Sequence, residues 1–196
     1  MSAKNSLPIF ILAAVICAPA WTGALAATKN SKLKICSGYG CIYKEEFGFT
    51  ASQARKLKSI LAKGASSAKA ERKAVGQAIT QMERMTRARL RFSRDVKKAY
   101  QKNAGRRGQM DCVDESLNTT QYLTYLHRNG WLKHHRPRRS YAERGFILDG
   151  RYPHKSAVMI DKANKGWAVD SWPRDGGEPP QIMPLSKWYR ARSTDG

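Results

Sequence analysis

The first half of the chain carries apolar positions at helical spacing, and the second half breaks into short apolar runs of the kind that form strands. Over residues 51–63, Ala54, Leu57, Ile60 and Leu61 share one helical face, with Thr50 placed to cap the helix and Gly64 to end it. The pattern resumes over 67–102, where Ala78, Met82, Met85, Phe92, Val96 and Ala99 recur at spacings of three, four or seven, broken by Arg89. One long helix and two shorter ones both fit. Such a stripe of methionine and aromatic side chains faces a core, and the other faces of these helices are densely basic. Residues 103–108 contain two glycines and read as a hinge or loop. Asp111 then stands at an N-cap position with Asp114 three residues on, a capping-box-like pair. The helix it opens runs to about Arg128, where Asn129 and Gly130 stop it. Cys112, Ser116, Thr119, Leu123 and Leu126 fall on its inward stripe, so the thiol sits at the stripe's solvent end.

From Trp131 the pattern changes. Residues 133–139 form a basic, proline-broken loop, 146–148 a short strand, and 156–161 with 166–172 a hairpin turning at 162–165. A Pro/Gly-rich loop covers 174–180, followed by a short strand at Ile182 and Met183 and a helical turn over 184–189. Residues 28–49 read as extended or looped. Helices first and strands afterwards predict an α+β fold: N-terminal helices and a central helix headed by the cysteine, packed on a small antiparallel sheet. The expected division is a leader over 1–26, an N-terminal extension with basic helices over 27–108 in the same domain as a core over 109–190, and a tail over 191–196.

The start of the chain changes the compartment. Lys4, an apolar run over 7–15 and the small-x-small pattern Ala24-Leu25-Ala26 are those of a cleaved signal peptide. The run is short for a bilayer and is flanked by Pro8 and Pro19, and Ile16 is too large for the position before a lipidated cysteine. The mature chain is therefore expected in the periplasm or secreted, with no transmembrane segment. Its length suits one domain. The 196 residues carry 36 Lys and Arg against 15 Asp and Glu, a formal net charge of +21, of which the leader holds only Lys4. That excess favours anionic partners, and export points to envelope polymers rather than nucleic acid, for which no aromatic-interleaved motif is present. Of four cysteines, Cys17 leaves with the leader. Cys36 and Cys41 enclose two glycines and are expected to pair in an oxidising compartment, which leaves Cys112 free.

A thiol at a helix N-terminus, followed by His154 at the opening of one strand and Asp170 at the end of the next, supplies the parts of a nucleophilic cysteine site. The helix end and an imidazolium would both favour thiolate, predicting a low thiol pKa. The Cys112 N–H and, as a second donor, Gln109 are candidates for holding an oxyanion. Asp111 and Asp114 read as helix caps. His127 reads as solvated, and His134 and His135 as parts of the basic loop, because no acidic or thiol partner stands at ligand spacing.

With Asp111-Cys112-Val113-Asp114-Glu115 heading a helix, His154 before Ser156-Ala157-Val158-Met159-Ile160, and Trp167-Ala168-Val169-Asp170-Ser171-Trp172 closing the next strand, the chain resembles the transglutaminase-like superfamily of the papain-like fold. The branch it is most similar to is the bacterial transglutaminase-like cysteine peptidases. Ile182-Met183-Pro184-Leu185-Ser186-Lys187-Trp188 resembles the segment following the sheet there, and the likeness covers residues 109–190. It implies a Cys112–His154–Asp170 triad forming a thioester on protein or peptide amide bonds, including those of the cell envelope. Transfer of the acyl group to an amine uses the same triad. Some exported members bind calcium through acids flanking the cysteine, but Val113 occupies one flank here, so no cofactor or metal is expected. Cell-wall endopeptidases that begin with Asp-Cys usually continue Ser-Gly, which this chain does not. A reading from a different class is a non-enzymatic binder of envelope polyanions, using the basic faces of residues 55–107 and the 133–139 cluster.

Overall fold

The computed structural model describes residues 32–98, 101–145 and 153–191. The leader expected over 1–26, Ala99 and the strand expected at 146–148 lie outside these residues. The segment read as extended or looped forms a hairpin: β1 (Leu33–Ser37) pairs antiparallel with β2 (Tyr43–Phe47), from Leu33 opposite Phe47 to Ser37 opposite Tyr43. Leu33, Ile35 and Phe47 turn into the core, and Cys36 is joined to Cys41 by a disulfide across the turn. The intervening Gly-Tyr-Gly gave no alternation, which is why the pattern alone missed the pairing.

Helix α1 (Ala51–Ala62) opens on a capping box in which the Gln53 N–H donates to Thr50 Oγ1 and the Thr50 N–H donates to Gln53 Oε1. Its buried face is Ala54, Leu57 and Leu61. Helix α2 (Ala68–Leu90), capped by Ser67, ends where Arg91 takes a left-handed conformation with φ 55°. The long stripe expected through residue 102 therefore stops at this point. Phe92 still turns inward, packed so closely on Gly108 that a Cβ there would lie 2.8 Å from it, while Val96 is 49% exposed. A helix through 92–98 would carry Asp95 away from the Met110 N–H, which it accepts, and from Gly176, which donates to its carbonyl. Tertiary hydrogen bonds override the periodicity.

Helix α3 (Cys112–Arg128) starts and stops as predicted, with Asp111 and Asp114 forming the capping box. The rest of the chain builds one antiparallel sheet from β3 (His135–Pro137), β4 (Ala142–Arg144), β5 (His154–Asp161), β6 (Gly166–Asp170) and β7 (Gln181–Pro184), in the order β3-β5-β6-β7. β4 pairs with the start of β5 and β3 with its end, along the same edge. The 133–139 run is thus partly strand. His135, far from being a loop residue, is buried with Nδ1 2.8 Å from Glu71 Oε1. Glu71 also accepts the backbone N–H groups of Lys133 and His134, and these bonds hold its carboxyl below the usual range against the opposing effect of burial. Helix α4 (Leu185–Arg190) follows β7 directly.

The fold is α+β. Alternate residues of the sheet separate two cores. Ala157, Met159 and Val169 join Leu123, Leu126 and the side chains of α1, α2 and the β1–β2 hairpin, whereas Val158 and Ala168 face Trp188 of α4. The N-terminal helices therefore share their core with the sheet. Among the described residues, no helix is long and apolar enough to cross a membrane.

Candidate active site

The β5–β6 register pairs Ala157 with Val169 and Val158 with Ala168. One step further sets Ser156 against Asp170, which puts His154 diagonal to Asp170 on the same face, within reach for long side chains. His154 Nε2 lies 2.7 Å from Asp170 Oδ2, and both residues are buried. A carboxylate only accepts, so Nε2 carries the proton and Nδ1 of the neutral ring is left with a lone pair. Nδ1 is buried and has no hydrogen-bond partner among the described residues. Trp172 covers the ring at 4.8 Å between centroids, and Trp188 lies 5.6 Å away while its indole N–H donates to the same Asp170 Oδ2 at 2.8 Å.

Cys112 heads α3, is partly buried, and is a free thiol. Its sulfur accepts the backbone N–H of Lys155, the residue after His154 on β5. The sulfur thus lies beside the strand position that follows His154, and no hydrogen bond joins it to Nδ1 in this arrangement. The thiol is not the acidic one expected from its helix position. Burial pushes it up to about 11, and the charges of Asp111 and Asp170 push the same way, against the lowering effect of the Lys155 N–H and ammonium. The helix terminus fails to dominate because burial outweighs it, and Asp111, which caps it, adds to the upward shift.

That cap is held from outside the helix. Gly38, Tyr39, Gly40 and Cys41 all have positive φ, between 61° and 86°, which turns successive N–H groups toward α3 as an anion-binding nest. The Tyr39 and Cys41 N–H groups donate to Asp114 at 2.8 and 2.6 Å, and the Gly40 N–H donates to Asp111 at 3.0 Å. Asn118 brackets Cys36, accepting its N–H at 2.7 Å and donating to its carbonyl at 2.9 Å. The disulfide loop therefore fastens the head of α3. Cys36, Cys41 and Asp114 lie close enough together to suggest a metal site, but the sulfurs are bonded to each other and both Asp114 oxygens accept N–H groups.

Gln109, expected as an oxyanion donor, is committed elsewhere. It is buried, and its two amide hydrogens go to Ser93 Oγ at 3.0 Å and the Arg94 carbonyl at 2.9 Å. The first-turn N–H groups of Cys112 and Val113, which have no acceptor further back in the helix, remain. Sequence reasoning also missed the acids behind the site. Glu83 accepts from Ser171 Oγ and the Gly177 N–H, Asp95 accepts from the Met110 N–H, and Asp95 and Glu115 are hydrogen-bonded to each other. Burial pushes Glu83 and Asp95 up to about 7 and raises Glu115 well above the ordinary carboxyl range. They join α2, the 92–98 segment, α3 and the 171–177 loop. Trp188 was visible only as a large apolar residue in a short helical turn, and Lys155 only as the neighbour of His154. Compared with known proteins, the chain matches no protein-family model, no curated protein and no solved structure.

Proposed function

We propose that the chain is an exported cysteine peptidase or amidase of the transglutaminase-like superfamily, with a papain-like arrangement of Cys112, His154 and Asp170. The observation that carries this reading is an imidazole whose Nε2 is fixed by a carboxylate and whose buried Nδ1 has no partner among the described residues, with the free thiol at the head of α3 beside Lys155, the next residue on β5. The raised thiol pKa argues for general-base attack rather than a standing thiolate. As an amide carbonyl reaches the sulfur, His154 Nδ1 takes the thiol proton, the S–C bond forms, and the oxyanion is held by first-turn N–H groups of α3. The imidazolium, steadied by Asp170, then protonates the departing amine and leaves a thioester on Cys112. Water, or a second amine, attacks that thioester with His154 again as base. The export signal and the disulfide support a periplasmic or secreted setting.

A simple acyl donor tests this. With p-nitrophenyl acetate, the wild type should release a burst of nitrophenolate and gain one acetyl group on Cys112 by intact mass. Cys112→Ser should lose both, and His154→Ala should lose the burst at neutral pH. A wild type that neither bursts nor acylates would remove the peptidase reading.

A second reading has its own observation. Helix α1 contains no acidic residue, and Arg55, Lys56, Lys58 and Lys63 make no ion pair among the described residues. An unneutralised basic face suits an anionic envelope polymer, and such binding should weaken steeply with salt while surviving Cys112→Ser. It is compatible with catalysis.

A further inference from the structure

The buried face of the sheet opposite α3 holds a group that the triad alone does not require. Helix α4 has six residues, too few for local propensity to fix it, so packing sets its place. Trp188 is 1% exposed and shares a core with Ala142, Val158 and Ala168, with Ile160, Met183 and Leu185 against it. A buried indole needs an acceptor for its N–H. Here the acceptor is Asp170 Oδ2, the oxygen that also binds His154 Nε2, so one carboxylate oxygen takes two N–H donors from two different elements while Oδ1 takes none from the described residues. The Trp188 ring is held in turn, with Arg144 of β4 4.8 Å above it and His154 5.6 Å to its side.

We infer that Trp188 is a positioning residue of the site: its indole N–H keeps Asp170 turned so that Oδ2 faces His154, and it takes up part of the carboxylate's charge. The inference rests on the proposed triad and adds to it a residue from a separate helix. The physical case is one of orientation and strength. A carboxylate bound only by His154 could exchange Oδ1 for Oδ2, and the imidazole would turn with it. With the indole N–H fixed in a packed core, Oδ2 stays in place while the ring gains and loses its proton. The second donor also weakens the pull of Asp170 on that proton, which helps the imidazolium return it to the leaving amine. Among the described residues, Glu115 and Cys112 of α3 feel the charge of Asp170, which raises the pKa of both, and the Arg144 guanidinium lies over the Trp188 ring.

The test is Trp188→Phe, which keeps the ring and removes the N–H, assayed with p-nitrophenyl acetate from pH 5 to 9 beside wild type and His154→Ala. Losing one hydrogen bond to a charged group should lower kcat about tenfold with KM little changed. The acid limb of the profile should move up by about half a pH unit or more, because the carboxylate then holds the imidazolium more tightly. A purely structural role would lower the amount of folded enzyme without moving that limb. A folded Trp188→Phe protein with wild-type kcat and profile overturns the inference, whereas a wild type without His154-dependent acylation overturns the triad itself. If Trp188→Phe does not fold, the Trp188 indole N–H is followed by NMR in wild type and Asp170→Asn. Loss of the charged acceptor should move its resonance and speed its exchange with solvent by about tenfold, and an unchanged resonance and exchange rate overturns the inference.

Discussion

Iodoacetamide reacts with thiolate and not with thiol, so it reads how the fold has set Cys112. The shift from an ordinary 9.0 to about 11 leaves, at any pH below both, about a hundredfold less thiolate than an unperturbed cysteine. A more basic thiolate is also more nucleophilic, which returns roughly a factor of ten. The net expectation at pH 7 is alkylation about tenfold slower than for a free cysteine, with the rate still rising above pH 9. Because Cys36 and Cys41 are joined, mass measured under non-reducing conditions counts Cys112 alone among the described residues. Asp111→Asn makes the reasoning sharper. Asparagine caps a helix about as well as aspartate, so the fold should hold, but one of the charges that raises the thiol is gone. Alkylation should then quicken about three- to tenfold and its midpoint should fall. Half-maximal alkylation of wild type at or below pH 7 would refute this account, since it would mean that a thiolate–imidazolium pair stands ready in the resting protein and outweighs burial.

Stability should fall as pH rises through neutrality. Glu83, Asp95 and Glu115 have folded-state pKa values above their unfolded ones, so the native state binds more protons between about pH 4 and 7, and their contribution is complete below that window and lost through it. Urea midpoints should be higher at pH 5 than at pH 8, by about 1–3 kcal/mol of stability, and Glu115→Gln should flatten the slope. Replacing both Cys36 and Cys41 with serine opens a short loop and should cost about 2 kcal/mol. The same change should slow acylation of Cys112 beyond what lost stability explains, because the N–H groups gripping Asp111 and Asp114 are no longer held. Raising salt from about 0.05 to 0.5 M should move the Cys112 alkylation midpoint upward, since salt screens the exposed cations more than the buried anions. A downward move would assign the raised pKa to the surface instead.

Most of the site's address was legible because its determinants are local. The capping box at Asp111 and Asp114 announces the head of α3, and a hairpin pattern places His154 and Asp170 on neighbouring strands. What escaped is non-local. The Asp114 oxygens bind N–H groups some 75 residues earlier in the chain, at Tyr39 and Cys41, and Trp188 reaches Asp170 from the far side of the sheet. The end of α2 escaped for the same reason. The stripe through Phe92 and Val96 continues in sequence, and only the pull of Met110 and Gly176 on Asp95 breaks it. Gln109 had the right chemistry and neighbourhood, but the direction of an amide depends on partners such as Ser93 that no spacing rule reveals.

The distribution of charge gives the fold its particular tension. The chain is strongly basic, yet Glu83, Asp95, Asp111, Asp114, Glu115 and Asp170, six of its 15 acids, gather around the head of one helix. Two of them cap that helix, one holds the imidazole, and three sit behind it, Asp95 hydrogen-bonded to Glu115 and Glu83 to Ser171, the residue after Asp170. Burial, joined by the charges of Asp111 and Asp170, pushes the thiol among them up to about 11 and keeps it protonated at neutral pH. In the proposed reaction such a thiol needs a base at the moment of attack, and that task falls to His154, whose Nε2 is fixed by Asp170 while Nδ1 has no partner among the described residues.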